Sequence, residues 1–190
     1  MKYNIGYSQI EIKDSWNVIE IGGGSNPCER ANVITNYESE ENQQGKKIKH
    51  IDSARMINHV NVEDLSMFNN KSFDYSICVQ TLEHVDSPLK ACNELMRISK
   101  AGYIETPSEL CEQLIGFPFH KWLIRIDTTD NNKLIFTKKE NYSRMDDFFF
   151  NMFYKDNPAR QEFINVLKKY YKQWIVCFEW NNSFKVEVHE

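Results

Sequence analysis

The clearest hydrophobic segment is Val18-Ile19-Glu20-Ile21, which is followed directly by Gly22-Gly23-Gly24 and the turn Ser25-Asn26-Pro27. A short apolar run that ends in glycines is typical of a buried parallel strand leading into a tight loop. Because glycine adopts positive φ and has no Cβ, a ligand can approach its backbone closely. In an open α/β sheet the ligand lies beyond the carboxyl end of such a strand. The pattern predicts a nucleotide-type cofactor over Gly22 to Asn26, with a plain strand-to-loop turn as the alternative.

Apolar runs continue to alternate with loops or helical segments as far as Pro107. Further strands are predicted at residues 32–35, 58–62, 73–79 and 103–107, and a helix is predicted from Pro88 to Gly102. Only Cys28-Glu29-Arg30-Ala31 separates the glycine loop from the second strand, whereas a crossover helix needs about 10 residues or more. The first crossover is therefore expected to be a turn or an extended link. The alternation predicts a parallel sheet with right-handed crossovers.

Beyond Pro107 the pattern changes to short helices and hairpins. It predicts a helix over 108–115 closed by Gly116, a hairpin of 121–126 with 133–137, and a closing hairpin around Asn181-Asn182. A helix that begins at Pro158 carries an apolar stripe expected to pack on the sheet, formed by Phe163, Val166, Leu167, Tyr170, Tyr171 and Trp174. The aromatic run 148–154 is interpreted as core, with a lid over an apolar substrate as the alternative.

Composition narrows the class of protein. The chain has 190 residues, 41% of them hydrophobic and 26% charged, which fits one domain with a substantial core. A net charge of -4 gives no long-range attraction to nucleic acid or to an anionic membrane. No apolar run reaches the length of a membrane span, and no signal-peptide pattern is present, so a cytoplasmic location is expected. The five cysteines and five histidines lack ligand or disulfide spacing, so reduced core thiols and no metal site are predicted.

Four segments together resemble the class I S-adenosylmethionine-dependent methyltransferases. They occur in the order of that family over Val18 to Pro107, and they are Val18 to Gly24, Val62-Glu63-Asp64-Leu65, Lys71 to Tyr75 and Thr81-Leu82-Glu83-His84-Val85. The resemblance implies an α/β, Rossmann-like fold with a seven-stranded, mostly parallel sheet, flanking helices and a C-terminal antiparallel hairpin. It implies a single methyltransferase-like domain over 1–190, in which 18–107 bind the cofactor and 108–190 form the acceptor side and close the sheet.

The resemblance also implies a set of cofactor-binding residues. Glu20 would contact the ammonium group of S-adenosylmethionine, directly or through water, and Gly22, Gly23 and Gly24 would offer bare backbone. Asn36 and Asn61 close the second and third strands, where the family places acceptors for the ribose hydroxyls and the adenine amino group. The remaining residues implied at this site are Asn26, Val62 and Gln80.

Two departures from the family pattern affect the prediction. The family normally has a carboxylate at the positions of Asn36 and Asn61, and a neutral carbonyl is the weaker acceptor. Either cofactor binding is weaker, or Glu38, Glu63 or Asp64 compensates. The shortened first crossover is the second departure. His84 and His120 are the candidate catalytic bases because imidazole suits proton transfer near neutral pH, and a structural role is the alternative for each.

Two functions follow from these observations. The first is methyl transfer to a small-molecule acceptor, with nucleic acid and membrane disfavoured as partners and with a homodimer or a partner subunit left open. The second is a methyltransferase-fold binding or scaffolding subunit that has lost turnover, which both asparagines would fit. A nicotinamide-dependent dehydrogenase is disfavoured because Ser25-Asn26-Pro27 supplies neither the further glycine nor the helix that a pyrophosphate needs.

Overall fold

The computed structural model describes residues 1–41, 46–140, 148, 151–152, 155 and 157–190. Most of the aromatic run 148–154 therefore lies outside the described residues. The described strands are β1 (Lys2–Ile5), β2 (Ser8–Glu11), β3 (Val18–Ile21), β4 (Val33–Thr35), β5 (Arg55–Ile57), β6 (Phe73–Val79), β7 (Ser99–Pro107), β8 (Trp122–Ile126), β9 (Lys133–Lys138), β10 (Ile175–Asn181) and β11 (Lys185–His189). The described helices are α1 (Pro88–Ile98), α2 (Glu109–Ile115), α3 (Arg160–Lys169) and α4 (Tyr171–Trp174), with a 3-10 turn over Leu82–His84.

The central sheet has the order β10-β7-β6-β3-β4-β5. Strands β3 to β7 run parallel, and β10 lies antiparallel beside β7. The predicted Rossmann-like α/β fold is confirmed, although this sheet has six described strands instead of seven. The chain winds outward from β3 through β4 to β5 and then returns to β6, which pairs with the other side of β3. This change of direction brings the carboxyl ends of β3 and β6 together, the place where open α/β sheets bind ligands.

Three predicted elements lie elsewhere. The third strand is at Arg55–Ile57 instead of 58–62, because Val60 and Val62 reach the core from a loop. Helix α1 ends at Ile98, and Gly102 lies inside β7. The C-terminal hairpin prediction was wrong: β10 pairs with β7, while β11 pairs in parallel with β9 in a separate sheet of β11, β9 and β8.

The sheet separates two hydrophobic clusters. Alternate residues of β3 face opposite sides, so Ile19 packs in the cluster that contains α1, while Val18 packs against the β1–β2 hairpin. The sequence pattern gave no indication of this hairpin, which covers a face of the sheet. Four of the five cysteines are buried, as expected for core residues.

The C-terminal helices pack differently from the prediction. Leu167 of α3 joins Cys111, Ile115 and Phe117 of the α2 region in a third cluster, whereas Val166 is exposed. The predicted apolar stripe thus packs partly on α2 and not as one face on the sheet. Among the described helices, none combines the length and apolar character needed to cross a membrane.

Candidate functional site

Two neighbouring cavities open where β3 and β6 end. The smaller has a volume of about 240 Å³ and the larger about 850 Å³, and both are bordered by Gly22, Gly24 and Gln80. Every residue that the sequence analysis selected as cofactor-binding or catalytic lines at least one of them, whereas Asp64, named as a possible compensating acceptor, lines neither. The smaller cavity is lined by Gly22, Gly24, Asn36, Asn61, Val62, Gln80 and His84. The larger is lined by Glu20, Gly22, Gly23, Gly24, Asn26, Gln80 and His120.

The glycine loop is held in a conformation that favours glycine. Gly22 has φ 78° and Gly24 has φ 54°, in the region that L side chains rarely adopt. The N–H groups of Gly22 and Gly23 donate to the carbonyl of Thr35 at 2.9 and 3.2 Å. A Cβ at Gly22 would lie 2.4 Å from Thr81 Oγ1. Gly22 therefore has no room for a side chain.

Glu20 is a buried carboxyl at the edge of the larger cavity. Its Oε2 accepts a hydrogen bond from the Cys28 N–H at 2.6 Å, which ties the end of β3 to the short crossover. Burial raises the pKa of Glu20 to about 7, and the Cys28 hydrogen bond opposes that rise. Near neutral pH this group can therefore change charge in response to a nearby cation.

The two asparagines use their side-chain carbonyls within the chain. Asn36 Oδ1 accepts from the Gly24 N–H at 2.8 Å, and Asn61 Oδ1 accepts from the Glu63 N–H at 2.9 Å. Asn36 is buried, whereas Asn61 is exposed. Glu38, also exposed, lines the smaller cavity two residues after Asn36. These contacts explain how asparagine is accommodated at both positions, and they leave Glu38 as a charged acceptor at the cavity.

Gln80 lies at the end of β6, where it lines both cavities. It has φ 51°, an uncommon value for a residue other than glycine, and its N–H donates to the Glu105 carbonyl at 2.8 Å. The buried Glu105 carboxyl accepts from Tyr103 Oη at 2.6 Å and from the Tyr7 N–H at 2.8 Å. These bonds give Glu105 a structural role near the end of β7.

His84 and His120 lie next to each other, with ring centroids 4.6 Å apart. His84 Nδ1 lies 3.3 Å from the Phe119 carbonyl oxygen, and burial lowers the pKa of His84 to about 4. His120 Nδ1 forms a hydrogen bond to Glu112 Oε1. Both imidazoles are thus oriented by an oxygen on one side, which leaves Nε2 as the atom available for chemistry.

Sequence reasoning missed two acidic residues, Glu83 and Glu112, that lie beside His84 and His120. Lys139 Nζ donates to Glu112 Oε2 at 2.9 Å, and burial raises the pKa of Glu83 well above its ordinary value. Glu83 belongs to the Leu-Glu-His segment, but a single acidic residue there gives no indication of burial. On α2, Glu112 follows the buried Cys111. This neighbour was the one feature of the sequence that indicated burial of Glu112. The spacing argument against a metal site considered residues close along the chain, whereas the fold brings Glu83, His84 and His120 together.

The comparisons with known proteins agree with the sequence motifs. Residues 22–104 match the family model described as a methyltransferase domain. No curated protein matches the chain significantly.

Solved structures with partial similarity include three bacterial and archaeal proteins. An S-adenosylmethionine-dependent methyltransferase of Thermotoga maritima has 22% identity and a TM-score of 0.38, covering 49% of this chain and 44% of that one. The YcgJ protein of Bacillus subtilis has 16% identity and a TM-score of 0.43, with coverage of 58% and 56%. An S-adenosylmethionine-dependent methyltransferase of Methanosarcina mazei has 16% identity and a TM-score of 0.40, with coverage of 63% and 70%. The chain spans about half the length of the first two proteins.

The family match covers the glycine loop, the residues around Asn36 and Asn61, and the Leu-Glu-His segment. Of the four segments on which the resemblance to class I methyltransferases was based, the match includes the last three in full and begins at Gly22, within the first. Residues 22–104, a little under half of this chain, therefore match the methyltransferase domain family.

Proposed function

We propose that the chain binds S-adenosylmethionine across the two cavities and transfers its methyl group to a small-molecule acceptor. The observation that carries the proposal is the Gly22–Gly24 backbone, which borders both cavities and leaves no room for a Cβ at Gly22. Methyl transfer is an in-line displacement at the sulfonium methyl carbon. Much of its rate comes from holding the nucleophile against that carbon with water excluded.

Each cavity has a proposed part in binding the cofactor. The smaller one, with Glu38, Asn61 and Val62 on its wall, suits the adenosine portion. The larger one, with Glu20 and His120, suits the methionine portion and the acceptor. In this arrangement residues 18–107 bind the cofactor, and 108–190 supply the acceptor side. His84 and His120 are proposed to act on the acceptor, either by positioning it or by accepting its proton.

Calorimetric titration of the purified chain with S-adenosylmethionine, and separately with S-adenosylhomocysteine, tests the proposal. We expect micromolar binding of both ligands at one site, because the product retains the adenosine and amino-acid portions that the two cavities would hold. A comparison with adenosine alone separates the contribution of the smaller cavity. The absence of binding at millimolar concentration would overturn the proposal of a methyltransferase that acts alone.

A second candidate function is a binding or scaffolding subunit without turnover. It is favoured by the two asparagines whose carbonyls already accept from the chain's own Gly24 and Glu63 N–H groups. Such a subunit could keep the fold while losing the charged acceptors of the family.

Asn61→Asp separates the two candidates. One oxygen of the new carboxylate can still accept from the Glu63 N–H, while the other adds a charged acceptor at the smaller cavity, so we expect S-adenosylmethionine to bind up to about tenfold more tightly. Asn36→Asp is the matched control, because Asn36 is buried and already holds Gly24, and we expect it to give no such gain. If neither the wild type nor Asn61→Asp binds the cofactor, the scaffolding function is favoured.

A further inference from the structure

Glu83 is a buried carboxyl without a hydrogen-bond donor. The residue is 1% exposed, and within the described part of the chain neither Oε1 nor Oε2 has a hydrogen-bond partner. A buried carboxyl in this state is costly unless a cation or a proton compensates it. The position therefore requires an occupant that the hydrogen bonds of the described residues do not supply.

The two neighbouring histidines, His84 and His120, both direct an unprotonated Nε2 toward Glu83. Because a backbone carbonyl can only accept, the contact of His84 Nδ1 with Phe119 at 3.3 Å fixes the proton on Nδ1. The Glu112 carboxylate likewise accepts from His120 Nδ1 while its other oxygen accepts from Lys139 Nζ at 2.9 Å. Each imidazole therefore carries a lone pair on Nε2. Both Nε2 atoms lie 3.9 Å from Glu83 Oε1.

Three electron-pair donors thus face one another. The distance of 3.9 Å between Glu83 Oε1 and each Nε2 is too long for a hydrogen bond. Protonation of Glu83 or of either histidine would therefore not link these atoms by a hydrogen bond. All three ligand atoms lie within 4.8 Å of one another. We propose that Glu83, His84 and His120 bind a divalent first-row transition-metal ion.

The ligand chemistry favours this class of ion. Two imidazole nitrogens and one carboxylate oxygen match the ligands of Zn²⁺ and Fe²⁺ in sites that keep open coordination positions. With bonds of about 2.1 Å, two ligands of a tetrahedral zinc ion lie roughly 3.4 Å apart, so small side-chain rotations would close the 3.9 Å separations. A carboxylate or carbonyl that accepts from the second nitrogen is the usual support of a metal-binding histidine, and Glu112 and Phe119 provide it.

The position of the cluster gives the ion a place in the site. His84 lines the smaller cavity and His120 lines the larger, so an ion held by both would lie between them. Its open coordination positions can take water or an oxygen of a ligand. This goes beyond the proposed function: with the ion bound, the two histidines are ligands instead of bases.

The experiment is a metal titration of the full chain after treatment with a chelator. Zn²⁺ is titrated by calorimetry, and Co²⁺ is titrated by visible absorption, whose d–d bands report the coordination number and geometry of the bound ion. We expect one equivalent of each to bind, and we expect Mg²⁺, which prefers oxygen ligands, to bind far more weakly. Glu83→Gln, His84→Gln and His120→Gln are each expected to weaken Zn²⁺ binding by at least tenfold, and circular dichroism checks that each variant is folded.

His189→Asn is the matched control, because His189 Nε2 also lies beside a carboxylate, Glu187 Oε1, at 2.6 Å but in an exposed pair. It is expected to bind Zn²⁺ as the wild type does. Absence of a Co²⁺ spectrum and of Zn²⁺ binding in the folded wild type would overturn the proposal and indicate that a proton compensates Glu83. Equal Zn²⁺ affinity in the wild type and a folded Glu83→Gln variant would overturn it as well. S-adenosylmethionine binding is measured separately with and without metal, so failure of the metal site is distinguishable from failure of the proposed function.

Discussion

Gly22→Ala is expected to weaken S-adenosylmethionine binding by about 100-fold or more, and the loss should be visible by calorimetry. The new Cβ would lie 2.4 Å from Thr81 Oγ1 at the backbone shared by both cavities. The residue would also be held at φ 78°, which costs about 1–2 kcal/mol for an L side chain. The strain and the Thr81 contact are present with and without the ligand, so they lower the stability of the fold. The loss of affinity, about 2.7 kcal/mol for a factor of 100, comes from the shifted backbone and the added methyl group at the two cavities.

A second variant and a control separate binding from folding. Thr81→Ala combined with Gly22→Ala removes the oxygen that the Cβ would meet, so part of the stability should return while the ligand still meets a Cβ. Gly102→Ala is the control: its Cβ would lie 2.5 Å from Ser76 Oγ, yet Gly102 lines neither cavity. It should lower the melting temperature without lowering the cofactor affinity of the folded protein. Wild-type affinity in Gly22→Ala would show that the glycine loop is not the binding site.

The sequence was sufficient where a local pattern determines a local structure. The Val18–Ile21 strand and its glycine loop combine an apolar run with residues that tolerate positive φ, and both are present. The start of α1 at Pro88 and the left-handed Gly116 that ends α2 follow from equally local rules. The proposed cofactor-binding residues outside the glycine loop, which include Asn36, Asn61 and Gln80, were selected from the resemblance to class I methyltransferases and not from these local rules.

The sequence was insufficient where pairing is decided at long range. Asn182 adopts φ 64°, so the predicted turn is there, but β11 leaves β10 and pairs with β9. A turn determines the direction of the next few residues, whereas the pairing partner depends on which sheet edge is free. In the third strand, Val60 and Val62 were interpreted as strand residues because they are apolar and alternate, yet they are buried from a loop.

The Glu83 cluster could not be predicted for a related reason. His84 and His120 are separated by 35 intervening residues, and their proximity depends on the segment after α2 folding back over the 3-10 turn. Ligand spacing along a chain detects sites within one element or one hairpin. It does not detect sites that two distant loops assemble at the end of a sheet.

Glu20→Gln is expected to change the pH dependence of stability. The pKa of Glu20 is about 7 in the folded chain, against 4.5 for an ordinary glutamate. A raised folded pKa means that the wild type has its full stability below about pH 4.5 and loses it as the pH rises through about 7. The free energy of unfolding of Glu20→Gln relative to the wild type should therefore increase by on the order of 3 kcal/mol from pH 4.5 to pH 8, measured by urea unfolding at each pH.

The glutamine keeps an oxygen that can accept from the Cys28 N–H, so the comparison isolates the charge. The exposed Glu11 provides the control, and Glu11→Gln should leave the pH profile of the wild type unchanged in shape. If Glu20 contacts the cofactor's ammonium group, a bound cation stabilises the carboxylate, and the wild type should bind S-adenosylmethionine more tightly as the pH rises through about 7. Glu20→Gln should lose that increase. If the stability of the wild type depends on pH but its affinity for S-adenosylmethionine does not, then Glu20 is a buried carboxyl with a raised pKa that does not contact the cofactor.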